Sequence, residues 1–117
     1  MNSETIIEII SDEYSRKILS ATANKELSAL QLSVQLDIPQ ATVYRKVRCL
    51  KDVGLLKPIK SVIIHGNEEI FYRSTIKKAV IIFERGKLTA RLELNEVESF
   101  VRLWKVFTDK NIKATKK

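Results

Sequence analysis

Residues 27–56 constrain the fold of this chain more than any other segment. They read LSALQLSVQLDIPQATVYRKVRCLKDVGLL, in which two short amphipathic stretches flank a turn at Asp37. Ser28, followed three residues later by a glutamine, is typical of a capping box, which begins a helix. Pro39 is expected to open a second helix, where its missing N–H is not needed, and Gly54 to end it. The segment therefore predicts two short helices joined by a tight turn.

The second of these helices, over about residues 39–53, has two unlike faces. At about 100° per residue, Val43, Val47 and Leu50 share one face and are expected to be core. The outward side and its flanks carry polar, basic and small residues: Gln40, Ala41, Thr42, Tyr44, Arg45 and Arg48. Arginine pairs with guanine, glutamine pairs with adenine, and small residues let a helix approach DNA closely. An ordinary solvated face is the alternative, but the two joined helices, the basic second helix and the hairpin that follows together favour DNA contact.

Apolar residues elsewhere predict how the other helices pack. Within the first helix of the pair, four residues are expected to supply the inward face: Leu30, Leu32, Val34 and Leu36. Residues 3–23 predict one helix or two, with Tyr14, Ile18 and Leu19 facing inward.

From residue 55 onward the apolar residues alternate, which is typical of β-strands. Two hairpins are predicted, the first from residues 55–64 and 69–74 with a turn at 65–67, and the second from residues 80–83 and 88–94 with a turn at 84–87. We therefore expect an α+β fold. The helical unit and first hairpin occupy residues 1–75, and the second hairpin, a last helix and a basic tail occupy residues 76–117.

The last helix is predicted to begin at Asn95, which forms another capping box with Glu98. One stripe of this helix is large and apolar: Val97, Phe100, Val101, Trp104 and Phe107. Large apolar stripes at chain ends usually find a partner, and two-fold dimers are the commonest oligomers. The stripe therefore favours a homodimer interface, and packing on the second hairpin is the alternative.

Charge is unevenly distributed along the chain, whose net charge is +7. Residues 1–38 carry 3 basic and 6 acidic side chains, whereas residues 39–117 carry 18 basic and 8 acidic ones. A basic half favours a polyanionic partner, either nucleic acid or anionic lipid. Solubility alone is an equally good explanation of the charge, so the charge supports DNA binding only together with the helices.

Several functional classes are not expected. Cys49 is the single cysteine, so no intrachain disulfide can form, and a reducing cytoplasm is the expected location. No apolar run approaches the roughly 18–20 residues of a membrane span, and the acidic N-terminus is unlike a signal peptide. The lone His65 lacks a cysteine or histidine partner for a metal, and no glycine-rich loop or catalytic set is present. We expect neither enzymatic activity nor a cofactor. Redox sensing at Cys49 is conceivable, but a small semi-exposed filler is the simpler interpretation.

Residues 4–75 resemble the winged helix-turn-helix of bacterial and archaeal transcriptional regulators, especially the ArsR-like group. The matching segments are SRKILSAT, the 27–56 segment and the hairpin that ends IFYRST. The resemblance implies that the second helix enters the major groove and that the first hairpin, the wing, touches phosphate or the adjacent minor groove. It makes the six outward residues of that helix the contact candidates. Three cations that flank the wing are expected to add nonspecific affinity: Lys57, Lys60 and Arg73.

The chain departs from this family in three ways. Asp37 stands in the turn where the family often has glycine, a change that this backbone tolerates. Glu68 and Glu69 lie in the wing, where they would repel phosphate. The paired cysteines of metal-sensing members are absent from the first helix of the motif.

The sequence thus predicts a sequence-specific regulator that binds double-stranded DNA as a homodimer. Two alternatives remain open at this point. One is a winged-helix module that binds another protein, with incidental basic charge. The other is an architectural protein that binds DNA without sequence preference. The outward arginines favour the regulator over the protein-binding module.

Overall fold

A computed structural model describes residues 1–95 of the chain, and these residues form four helices and five strands. In chain order they are α1 (Ser3–Ser11), α2 (Glu13–Ala21), β1 (Leu27–Ser28), α3 (Ala29–Leu36), α4 (Gln40–Asp52), β2 (Leu56–Ile64), β3 (Asn67–Ser74), β4 (Ile76–Glu84) and β5 (Lys87–Leu94). The α+β fold is confirmed: a helix-turn-helix is followed directly by a hairpin, as in a winged helix-turn-helix. The predicted last helix and its stripe, Val97, Phe100, Val101, Trp104 and Phe107, lie outside the described residues.

The N-terminal segment forms two helices rather than one, and Asp12 is the residue that separates them. Its backbone is extended, and its N–H donates to the carbonyl of Ile9 to close α1. Its carboxylate then accepts a hydrogen bond of 2.8 Å from the backbone N–H of Ser15, which caps α2. The same carboxylate lies 3.1 Å from Nζ of Lys46 on α4. One residue therefore ends α1 through its backbone N–H, and its side chain begins α2 and connects this corner to α4.

The turn between α3 and α4 follows the sequence prediction closely. Ser28 and Gln31 form the expected capping box at the start of α3. Asp37 has a φ of 57°, the left-handed conformation that Asp tolerates better than most residues. Pro39 differs slightly from the prediction, because it is the N-cap of α4 rather than its first helical residue. Its extended ψ of 140° leaves its carbonyl to accept the first bond of the helix, from Val43.

The end of α4 is a Schellman motif centred on Gly54. Gly54 has a φ of 87° and donates its N–H to the carbonyl of Lys51, while Leu55 donates to Leu50 over 2.9 Å. These two bonds satisfy the last carbonyls of the helix and turn the chain directly into β2. Glycine is needed here because other residues are strained at this backbone angle.

The predicted inward face of α3 was wrong in part. Leu32 is fully buried and Leu36 half-buried, but Leu30 is exposed and Val34 is 76% exposed. Alternate residues do not share a helical face, because the helix repeats every 3.6 residues. Ala29 lies three residues before Leu32 and takes the buried position instead. Tyr14 on α2 is likewise exposed, whereas Ile18 and Leu19 are buried as expected.

Two antiparallel sheets complete the described fold. The first has the order β1-β3-β2, and the two-residue β1, which the sequence did not reveal, pairs Leu27 with Tyr72. The β2–β3 hairpin, the wing, turns at His65 and Gly66, whose positive φ values of 51° and 82° are those of a type I′ turn. The β4–β5 hairpin forms a separate two-stranded sheet, and it begins at Ile76 rather than near residue 80.

The core lies between the helices and the inner face of the wing sheet. Its fully buried side chains come from α2, α3, α4 and the start of β2: Ile18, Leu32, Val43, Leu50, Leu55 and Leu56. Ser74 and Thr75 join the two sheets and are also buried. Ser74 donates its N–H to Thr22, and Thr75 donates to Leu55, each over 3.0 Å. The second hairpin is therefore attached at the point where α4 ends.

The two roles of Asp12 predict a specific effect on stability. Asp12→Ala should lower the free energy of unfolding by about 1 kcal/mol, because α2 loses its cap. Asp12→Asn is the matched control, since an amide oxygen can still cap the helix while the interaction with Lys46 is lost. In urea denaturation, the free energy of unfolding should be highest for the wild type, lower for Asp12→Asn and lowest for Asp12→Ala. Equal stability of the Ala variant and the wild type would show that the cap contributes nothing.

Acid should remove the difference between wild type and Asp12→Asn. Partial burial raises the pKa of the Asp12 carboxyl, but hydrogen bonds from Ser15 and Lys46 together lower it below its ordinary value of 3.8. A carboxylate with a lowered pKa stabilises the fold above its unfolded pKa and loses that effect as the pH falls through the folded value. The gap in unfolding free energy should therefore be present at pH 7 and should close as the pH falls below 3.8.

Candidate nucleic-acid interface

The orientation of α4 is fixed by its buried side. Val43, Val47 and Leu50 are all buried, as the helical spacing predicts. They belong to the same cluster as Ile18 of α2 and Leu32 of α3. Rotating α4 would expose this stripe to water, at a cost of about 1.5–3 kcal/mol for each large apolar side chain. The opposite side of α4 is therefore held outward.

That outward side carries most of the contact candidates named from the sequence. Thr42 is half-buried. The other five are exposed: Gln40, Ala41, Tyr44, Arg45 and Arg48. Within residues 1–95, neither Arg45 nor Arg48 forms an ion pair. Their guanidinium groups are thus available to an external acceptor. The structure confirms their exposure, and their contact with DNA remains a prediction.

Lys46 has a different role from the neighbouring arginines. It is half-buried on the flank of α4, and its ammonium group is engaged by the Asp12 carboxylate. This contact holds α4 against the corner between α1 and α2. Sequence reasoning missed it, because no local pattern links a lysine in α4 to a helix cap far upstream. Lys46 therefore positions the interface rather than forming part of it.

The wing lies against α4 around a small cleft. Its lining comes from α3, α4 and β3: Ala29, Tyr44, Glu68, Glu69, Ile70 and Tyr72. Burial raises the pKa of the Tyr72 hydroxyl above its ordinary value of 10.0, and nearby Tyr44 acts in the same direction. The Tyr72 phenol is therefore neutral at physiological pH. Because the cleft joins the two elements, α4 and the inner face of the wing form one continuous surface.

Glu68 places a negative charge on this surface. Residues of a strand alternate between faces, so Glu68 lies on the same face as Ile70 and Tyr72, toward α4. Glu69 alternates with it and pairs with Val62 on the other face. Both glutamates border the cleft, and the alternation along β3 directs the side chain of Glu68 toward α4.

The three wing cations lie toward the foot of the hairpin rather than at its tip. Lys57 pairs with Arg73 across the strands, and Lys60 pairs with Phe71, all on the face opposite Tyr72. Lys57 is about 24 Å along the strand from Ile64 at the tip. All three cations are half-buried, and the Nε of Arg73 is buried without a hydrogen-bond partner in residues 1–95. The basic side chains of the wing therefore lie near its foot and not at its tip.

Lys60 is already engaged within the protein. Its Nζ lies 3.3 Å from the carboxylate of Glu26 and 5.2 Å above the centre of the Phe71 ring. These contacts neutralise part of its charge and hold its side chain over the sheet. Of the three cations, Lys60 is therefore the least available to a phosphate.

Cys49 and His65 were considered for redox sensing and for metal binding. Cys49 is exposed on α4, and His65 is exposed at the first position of the wing turn. Within the described part of the chain, no group of three or more His, Cys, Asp or Glu side chains is placed to hold a metal ion. In the same residues, no helix is long and apolar enough to cross a bilayer.

Comparison with known families supports this assignment of the helices. Residues 10–59 match the family model of a helix-turn-helix domain. The match begins at the end of α1 and continues through α4 into β2. It supports a helix-turn-helix protein of the transcription-regulator type. No curated protein matches the chain.

Proposed function

We propose that this chain is a sequence-specific, double-stranded-DNA-binding transcription regulator of the ArsR-like winged helix-turn-helix type, acting as a homodimer. One observation carries the proposal: Arg45 and Arg48 are exposed, form no ion pair within residues 1–95, and lie opposite the buried stripe of a helix within a helix-turn-helix domain. A helix held in this way presents fixed donors to a partner. DNA is the partner that such a helix fits, because the major groove admits one α-helix.

In the proposed complex, α4 enters the major groove with its N-terminal half foremost. Ala41 lets the helix approach the bases closely. Arg45 and Arg48 each donate two hydrogen bonds to O6 and N7 of a guanine, and Gln40 makes a similar paired contact with an adenine. Tyr44, beside the cleft, bonds a phosphate or stacks. Glu68 on the same surface repels phosphate at that point of the wing, so the sugar–phosphate backbone of the DNA must pass elsewhere.

The homodimer part of the proposal rests on the apolar stripe from Val97 to Phe107. Two copies related by a two-fold axis would present two α4 helices to two half-sites. For helix-turn-helix dimers, the half-sites lie about 34–36 Å apart on a near-palindromic operator. Doubling the contacts in this way raises both affinity and selectivity over those of a single copy.

Replacing Arg45 or Arg48 by alanine tests base reading. Each change should weaken binding to a duplex selected from a random DNA pool by about 1–3 kcal/mol, and should weaken binding to random duplex much less. Lys17→Ala is the matched control, because it removes one exposed charge from α2 and should alter neither affinity. Fluorescence anisotropy at fixed salt measures the effect.

The outcomes of that experiment separate the alternatives. Equal losses on selected and random duplexes would favour an architectural protein that contacts only phosphate. Absence of any salt-sensitive DNA binding by the wild type would favour a module that binds another protein. Unchanged binding by one variant would remove that arginine from the interface.

The wing cations are tested by the dependence of DNA affinity on salt. Lys57→Gln and Arg73→Gln should each reduce the magnitude of the salt slope by about 1, because each removes one phosphate contact. Lys60→Gln should reduce it less, since Glu26 already pairs with that lysine. An unchanged slope when all three are replaced would show that the foot of the wing is not close to DNA.

Trp104 tests the proposed dimer, because aromatic residues anchor many interfaces. The wild type should sediment as a dimer, and Trp104→Ala as a folded monomer that binds a two-half-site duplex weakly. Ser99→Ala is the control, since residue 99 lies about 140° from residue 104 around a helix. A wild type that stays monomeric at high micromolar concentration would contradict the homodimer. Unfolding of Trp104→Ala without a folded monomer would instead place the stripe in the core of its own chain.

A further inference from the structure

The second hairpin has two faces of very different chemistry. Residues that are directly opposite in the register share a face. One face is apolar throughout and consists of Ala79, Ile81, Phe83, Leu88, Ala90 and Leu92, here called the apolar hairpin face. The other face carries the pairs Lys78–Glu93, Val80–Arg91, Ile82–Thr89 and Glu84–Lys87. An entirely apolar face on a two-stranded hairpin needs a cover, because an isolated hairpin is marginally stable in water.

The described residues cover only the half of this face nearest the hairpin foot. Helix α1 packs along β5, and the hydroxyl of Ser3 both accepts from the N–H of Ala90 and donates to its carbonyl. Leu92 packs against the main core. Nearer the turn, Ile81 is 43% exposed, Phe83 73% and Leu88 50%. The uncovered half therefore lies at the turn end of the hairpin.

The size of the uncovered half indicates part of a larger interface. Three large residues exposed to this extent present on the order of 300 Å² of apolar surface. A stable dimer usually buries about 800 Å² on each partner. The hairpin alone is therefore too small to hold two copies together face to face. The stripe from Val97 to Phe107 supplies further apolar area of the same kind.

The reach of the C-terminal segment decides which copy fits the uncovered half. The chain leaves β5 at Asn95, whose N–H donates to Thr75 over 2.7 Å at the foot of the hairpin. Leu88 lies about 23 Å away along the strand. A helix over residues 96–107 would span about 18 Å. Folded back on its own hairpin, it would place its first turns over the foot, where Leu94 is the exposed large apolar residue, and would end about 5 Å short of Leu88.

A second copy removes this mismatch. In an antiparallel two-fold pair, the foot of the partner's hairpin lies over the turn end of the first. The partner's segment then starts beside Phe83 and Leu88, so the first part of its stripe, from Val97 to Val101, falls on the uncovered half. The same contact is made twice by symmetry, which doubles the buried area.

We propose that the apolar hairpin face is the docking surface for residues 96–107 of a second copy of this chain. The proposal rests on the homodimer proposed above and names the surface on which that dimer closes. Phe83 is the central residue, because it is the largest side chain on the face and the most exposed.

Cysteine cross-linking tests which copy occupies the surface. In a Cys49→Ser background, Phe83→Cys and Val97→Cys are placed on two differently tagged chains and co-expressed, because Val97 is the stripe residue nearest the start of the segment. Mild oxidation should give a disulfide-linked pair that contains both tags. Thr89→Cys, on the opposite face, replaces Phe83→Cys as the control and should give none. When both cysteines are placed in one chain, an intrachain bridge in a monomer would overturn the proposal and show that the segment covers its own hairpin.

A second variant separates failure of this proposal from failure of the proposed function. Phe83→Ser should raise the dimer dissociation constant about tenfold or more, because a buried phenyl is lost. It should weaken binding to a duplex with two half-sites and leave binding to a single half-site unchanged. Thr89→Ala should change none of these values. A wild type that dimerises and binds DNA, with Phe83→Ser equally dimeric and no mixed cross-link, would overturn the docking surface alone. A monomeric wild type would overturn the homodimer as well.

Discussion

The rest of the structure depends on the burial of one side of α4. Val43, Val47 and Leu50 pack into the core formed by α2, α3 and the start of β2. This packing fixes both the position and the rotation of the helix. Arg45 and Arg48 are exposed as a geometric consequence, because a helix with one buried stripe presents its other side to solvent. The rigidity of the candidate interface is therefore supplied by apolar contacts that lie behind it.

A second constraint is the junction at which α4 ends and the two sheets meet. The left-handed Gly54 lets Leu55 turn back and donate to Leu50. The carbonyls of Gly54 and Leu55 then accept hydrogen bonds from the hydroxyl and N–H of Thr75. Helix, wing and second hairpin thus share a few buried backbone groups, and burial without these bonds would be costly. A shift of the second hairpin would consequently strain the end of α4.

Within residues 1–95, some basic side chains form ion pairs that support the fold and others form none. Lys46 and Lys60 are paired with Asp12 and Glu26, which lie in the acidic N-terminal third of the chain. Partly exposed ion pairs contribute little free energy, so their main effect is to fix where these side chains lie. The charge left for a polyanion comes from other residues, of which Arg45 is an example. The net charge of the chain does not distinguish these two groups of basic residues.

The sequence by itself determined the features whose causes are local. The capping box at Ser28, the left-handed turn at Asp37 and the glycine end of α4 follow from neighbouring residues, and the buried side of α4 follows from its period. Only the tertiary structure decided that Lys46 engages Asp12 and how much of the second hairpin is covered. The physical reason is that helix caps and turns are set by backbone angles and hydrogen bonds within a few residues. Burial and ion pairing instead depend on which distant elements meet, and a local pattern does not contain that information.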